Sequence, residues 1–211
     1  LLTEGVHAAA GIDAPFCVPA HVMPADGHPA LIALVDRLNC PPARPFPRGD
    51  AFLDALGIVT PVKSLRQTER LWRGRGINVR SSLWWKPRGG ASLATACLKL
   101  IARAGRPPCW PWSPPVRGCL AEAFPAAQLR QWGLPHQKYN GPDGAANRAA
   151  IVRAVSERLD FGPFRDDCLR SADALDAVLA AFGAIAVTTG TLAAPVPDDA
   201  DPSEGWIAVH R

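Results

Sequence analysis

Apolar residues recur at helical spacing along much of the chain. In PALIALVDRL (29–38) they fall three and four apart, and Pro29 suits a first turn. AFLDALG (51–57) reads as a short helix closed by Gly57. LRQTERLWR (65–73), ASLATACLKLIAR (91–103), AAQLRQWG (126–133) and residues 147–159 carry the same spacing. The firmest helix is SADALDAVLAAFGAIAV (171–187), with Ser171 as its N-cap. Between these lie extended runs. AGID (10–13) reads as the end of a buried strand stopped by Ala14-Pro15, CLAEAF (119–124) as a strand ended by Pro125, and EGWIAV (204–209) as a last strand. CPPARPFPRGD (40–50) and GRPPCWPWSPPVRG (105–118) are proline-heavy and predicted irregular. Strands alternating with helices predict an α/β layered domain.

Composition narrows the class. At 211 residues and 48% hydrophobic, the chain carries enough apolar surface for a packed core, which excludes disorder and predicts one domain over 1–211. The net charge of +4 permits contact with phosphates without demanding it. Arg66, Arg70, Arg73, Arg75, Arg80, Lys86 and Arg88 are interleaved with Trp72, Trp84 and Trp85, a mixture suited to single-stranded nucleic acid or to a solvated basic surface.

Other classes find little support. The six cysteines form no C-x-x-C pair and no zinc-ligand spacing with histidine, so reduced thiols and a cytoplasmic location are expected. No apolar stretch reaches the ~18–20 residues of a spanning helix, and no membrane is expected. There is no G-x-S-x-G, and His7, His21, His28, His136 and His210 are scattered. The first methionine is Met23 and the chain opens Leu1-Leu2-Thr3, so a processed chain or a fragment is expected.

Four acids on three separate segments stand out. On the 171–187 helix, Leu175, Val178, Leu179 and Phe182 share a face, and Asp173 and Asp176 neighbour each other on its flank. An acid in a first turn also complements the helix dipole, which covers Asp173 better than Asp176. Glu122 shares a strand side with Leu120 and Phe124, so burial there requires a partner, a metal ion or an arginine. Asp13 ends a strand, where α/β sheets place ligand sites, although an Asx turn before proline also uses aspartate. Carboxylates on separate segments suit Mg2+ or Mn2+, which prefer oxygen ligands.

GIDAPF (11–16), LRQTERLWR (65–73), CLAEAFPAAQLRQWGLPHQKYNG (119–141), ADALDAVLAAFGA (172–184) and EGWIAV (204–209) together resemble the family of domain of unknown function 429, a predicted nuclease group of ribonuclease-H-like fold. DALDAVLAA is also similar to the final helix of Holliday-junction resolvases, where ligands at i and i+3 complete a metal site. The resemblance implies a mixed ribonuclease-H-like sheet flanked by helices. It implies Asp13, Glu122 and Asp176 as catalytic metal ligands with Asp173 as an auxiliary, and Glu69 and Glu204 as lower-ranked candidates. Arg66 and Arg70 would face substrate phosphates or pair with acids. That fold opens with a strand bearing a leading aspartate, which nothing before Gly11 supplies, so the N-terminal strands are expected to be missing. The function implied is metal-dependent hydrolysis of DNA or RNA. The alternative is a catalytically inactive nucleic-acid-binding or adaptor module on a degenerate nuclease fold.

Overall fold

The computed structural model of the chain describes residues 7–60, 62–86 and 89–211; Arg88 of the basic stretch lies outside them. In chain order the elements are β1 (Ala9–Ile12), α1 (Gly27–Arg37), α2 (Gly49–Ala55), α3 (Gln67–Gly74), α4 (Ala91–Arg103), β2 (Cys109–Trp110), β3 (Cys119–Glu122), α5 (Pro125–Gln131), α6 (Ala145–Val155), α7 (Arg165–Arg170) and α8 (Ala172–Thr189). The three strands form a parallel sheet in the order β1-β3-β2. Ala9 pairs with Cys119 and Ile12 with Glu122, so β1 and β3 end level with each other.

All four residues of β3 are buried, because the strand is central and covered on both faces. Side chains alternate across it. Leu120 joins a core with Phe16, Leu31, Val35, Phe52, Leu98 and Ile101, which places α1, α2 and α4 on its side. Ala121 joins Val187 of α8 and Ala208, which places α8 on the other side. A further core of Leu129, Ile151, Val155, Leu175 and Leu179 fastens α5 and α6 to α8. The architecture is a small parallel sheet flanked by helices.

Close approach explains the small residues of α8. A Cβ at Gly11 of β1 would fall inside the Ala180 carbonyl, and one at Gly183 would sit 2.9 Å from the Ala208 oxygen. The helix lies backbone-to-backbone on the sheet. Ser171 caps it as expected, its Oγ accepting from the Ala174 N–H at 3.3 Å, and Gly190 ends it at φ 70°.

Several expectations need correction. EGWIAV forms no strand: Ala208 makes a single bridge to Ala123, and the neighbouring Ile207 N–H is taken by Thr68 Oγ1 at 3.1 Å, which interrupts a ladder. The proline-rich 105–118 segment contains β2, and α7 has no counterpart in the sequence pattern. Residues of β1 are half-buried rather than buried. α8, at 18 residues, is long and apolar enough by length and composition to cross a membrane, contrary to the expectation, though much of it packs inside the protein.

Candidate functional site

The carboxyl ends of β1 and β3 open into a cleft of about 1200 Å³, where a parallel sheet places ligand sites. Asp13 follows β1 directly, and Glu122 is the last residue of β3. Asp176 reaches the same cleft from α8. It lies one helical turn before Ala180, the residue that rests on Gly11, and Asp13 is two residues past Gly11. The close contact of helix and strand therefore brings the two aspartates to one end of the sheet. Arg80, His136, Lys138 and Tyr139 also line the cleft.

Both aspartates have pKa values above the ordinary carboxylate range. Asp13 is exposed to the cleft mouth. Even so, the surrounding walls withdraw water from its carboxyl, and the charges of Asp176 and Glu122 add to this, raising its pKa to about 7 while Arg80 opposes. Asp176 is raised to about 6, first by burial and then by Asp173, with the Tyr139 hydroxyl working against the rise. That hydroxyl donates to Asp176 Oδ1 at 2.8 Å. Burial and the adjacent Asp176 push the Tyr139 pKa up in turn, so the phenol stays a donor.

Tyr139 sits on a clamped loop. Buried Arg148 of α6 donates from Nη1 to the Tyr139 oxygen at 2.6 Å and the Gly141 oxygen at 2.9 Å, and from Nε to the Leu169 oxygen at 2.9 Å. Asn147 Nδ2 donates to the Lys138 oxygen at 3.1 Å. These bonds hold Lys138 at φ 55°, a left-handed conformation uncommon for a side chain of this kind.

Glu122 is engaged by a different set. Its Oε2 accepts from Arg66 Nη1 at 2.7 Å and from the Phe16 N–H at 2.9 Å, and its Oε1 accepts from Arg66 Nη2. Arg66 Nη2 also reaches Glu69 Oε1 at 2.9 Å, and Glu69 Oε2 takes the Arg66 N–H at 2.9 Å. All three side chains are buried. Arg66 Nη1 further contacts Cys17 Sγ at 3.1 Å. Glu204 accepts from the Ala20 N–H at 3.0 Å and from the Gln67 N–H at the start of α3. Of the residues singled out in the sequence, Asp13, Glu122, Glu69, Arg66 and Asp176 thus meet at the cleft. Asp173 is exposed on α8 and influences Asp176 only through its charge. Arg70 is exposed, with Nη1 on the Leu65 oxygen at 2.6 Å.

Sequence reasoning passed over Tyr139 and Lys138 as site residues and named Arg80 only as part of the basic stretch. A usable signal existed for the first: it is the chain's one tyrosine and lies within the HQKYNG segment. Among the described residues, no three His, Cys, Asp or Glu side chains converge as a metal-ligand group. All six cysteines are free.

The family described as protein of unknown function (DUF429) matches residues 3–201. The chain belongs to DUF429. The DUF429 match takes in Asp13, Arg66, Glu69, Glu122, Tyr139 and Asp176, and stops short of Glu204 and the E-G-W-I segment. No curated protein and no solved structure matches the chain.

Proposed function

We propose that the cleft hydrolyses phosphodiester bonds of DNA or RNA with a divalent metal ion, on a ribonuclease-H-like arrangement of the sheet. The observation that carries this reading is the Asp13–Asp176 pair. Two carboxylates from separate elements meet at the strand ends, where burial and, for Asp13, the neighbouring charge of Asp176 disfavour ionisation, a strain that a hard cation bound between them would relieve. Mg2+ commonly takes one or two protein carboxylates and completes its shell with water and substrate phosphate. Asp13 and Asp176 fit that donor set. Glu122 does not, because Arg66 and the Phe16 N–H occupy both of its oxygens.

A bound ion would supply Lewis-acid polarisation of the phosphoryl oxygen and a more acidic attacking water. The chain's own residues do the rest. Tyr139 orients Asp176 through its hydroxyl. Arg80 lies near enough to Asp13 to act on its charge, so a phosphate oxygen seated between them gains a charge-assisted hydrogen bond. Lys138 adds a second cation on the clamped loop. Six free thiols fit a reducing compartment, and a cytoplasmic location is proposed on that basis.

The test is cleavage of end-labelled DNA and RNA in Mn2+, with Mn2+ binding followed separately by calorimetry. Asp176→Asn loses both; full activity in that variant overturns the assignment. A second reading, a module that binds nucleic acid without cutting it, is favoured by one observation, the commitment of Glu122 to Arg66. It predicts a salt-sensitive gel shift with no turnover in any divalent metal.

A further inference from the structure

A second hollow, of about 340 Å³, shares Ser92 with the carboxylate cleft. Its walls include Arg44, Arg48, Asp50 and Trp85. The proline-rich segment serves both spaces, since Phe46 lines the cleft while Arg44 and Arg48 line the hollow. Gly49 permits this junction: a Cβ there would stand 2.9 Å from Ser92 Oγ and 3.0 Å from the Ser92 nitrogen.

The three tryptophans of the basic stretch have separate fates. Trp72 is fully buried with the Arg75 guanidinium 4.6 Å from its ring centre. Trp84 carries Lys63 at 4.7 Å and Lys86 at 5.8 Å. Trp85 is 41% exposed and, among the described residues, its ring has no aromatic or cationic partner. The turn before it is fixed, with the Trp84 N–H on the Ser81 oxygen at 3.2 Å, the Trp84 oxygen accepting from the Ala91 N–H at 3.2 Å and Leu83 buried. A ring on a held backbone loses little freedom when a flat group stacks on it.

The charges beside that ring are unequal. Arg48 donates from Nε to Asp50 Oδ1 at 2.9 Å. Arg44 is exposed and pairs with no carboxylate among the described residues. Two arginines against one aspartate leave the hollow positive. An unstacked aromatic face beside an uncommitted arginine is the combination that takes a base and its phosphate. The hollow's volume is at the lower end of ligand pockets, about 300 Å³, and suits a short piece of a strand rather than a duplex.

We propose that Trp85, Arg44 and Arg48 form a subsite for single-stranded nucleic acid running on from the carboxylate cleft, with a base stacked on Trp85 and a phosphate on Arg44. This rests on the phosphodiesterase reading of the cleft and extends it to a polymeric, single-stranded substrate.

Fluorescence anisotropy of the full chain with labelled oligothymidylate and oligouridylate tests it, each as a trinucleotide and a dodecanucleotide. The wild type binds the longer oligomer more tightly. Trp85→Ala removes that gain, weakening the dodecanucleotide by about tenfold or more, the loss of one stacked base. Arg44→Gln lowers the salt slope for the dodecanucleotide by about 0.7, the value for one phosphate contact on a single strand. A length-dependent gain that survives in Trp85→Ala, or a salt slope that Arg44→Gln leaves in place, overturns the subsite. Mn2+-dependent cleavage by the wild type, run alongside, separates the two claims: cleavage with an unaffected Trp85→Ala overturns the subsite alone, whereas a wild type that neither binds nor cleaves overturns both.

Discussion

Replacing Glu122 with glutamine asks whether this residue is a tether or a metal ligand. In the protein it is one end of a buried ion pair with both oxygens used, by the two Arg66 nitrogens and by the Phe16 N–H. Glutamine keeps the shape but loses the charge, and its amide NH2 would face guanidinium donors. Breaking a buried pair by removing one partner costs about 3–5 kcal/mol. Arg66 keeps its 2.9 Å bond to Glu69, so the lower end applies, about 3 kcal/mol. For a chain of this size each kcal/mol moves Tm by about 2–4 °C, so Glu122→Gln melts roughly 10 °C below the wild type. Circular dichroism melts in EDTA read that shift, and Mn2+ calorimetry at a temperature where both proteins are folded reads the metal. The tether predicts a lowered Tm with Mn2+ affinity kept. A Tm within about 2 °C of the wild type, less than 1 kcal/mol, together with lost Mn2+ binding, would refute the reasoning and return Glu122 to the ligand set.

Three further outcomes follow from the structure. Burial pulls His28 down to about 4, against the help of its bond to the Phe16 oxygen, so the native state holds fewer protons than the unfolded chain between pH 4 and 6.5. The contribution of His28 to stability is full above pH 6.5 and falls toward pH 4, by about 3 kcal/mol. Asp176, raised to about 6, acts oppositely: the native state keeps its proton longer, so its contribution is present at pH 4 and lost as pH rises toward 6. Asp13, raised to about 7, acts in the same direction as Asp176. In urea titrations of the metal-free protein from pH 6.5 to 4, Asp176→Asn therefore shifts the profile toward loss of stability on acidification relative to the wild type and His28→Gln shifts it toward gain; parallel profiles for the two variants would contradict both assignments. Gly11→Ala forces a methyl into the Ala180 carbonyl and costs about 3 kcal/mol or more, and near-native stability would mean that α8 does not lie on β1. Tyr139→Phe removes the bond that holds the Asp176 pKa down, so the Asp176 carboxyl titrates higher by carbon-detected NMR; an unmoved titration counts against the pairing.

Much of the scaffold was legible in local pattern. Helix 91–103 is read to the residue, and Ser171, Gly57 and Pro125 mark boundaries by their own stereochemistry. Asp13 and Glu122 stand at strand ends because Ala14-Pro15 and Pro125 must stop those strands. What pairs with Glu122 was not legible: Arg66 lies 56 residues away, and spacing allowed a metal ion as readily as an arginine. β2 is two residues inside a proline-rich run, too short to show alternation. The 204–209 segment has strand composition, yet the Thr68 hydroxyl takes the Ile207 N–H and side chains of Cys17 and Arg66 take the Glu204 backbone oxygen, groups that a ladder would need. Tyr139 escaped notice because its role depends on Arg148 and Asn147 reaching back across the loop.

The close seating of α8 on β1 makes the helix a spacer gauge for the aspartates. With no side chain between Gly11 and the Ala180 carbonyl, the distance from strand to helix is set by backbone thickness alone and has no soft layer to absorb error. Added bulk at Gly11 or Gly183 would tilt the helix as a rigid rod and move Asp176 relative to Asp13, although neither glycine touches a carboxylate. Tolerance to substitution should accordingly follow a line along the contact between rod and sheet, running well away from the cleft, and, on the proposed metal-dependent reading, loss of Mn2+ affinity should track that line before loss of folding does.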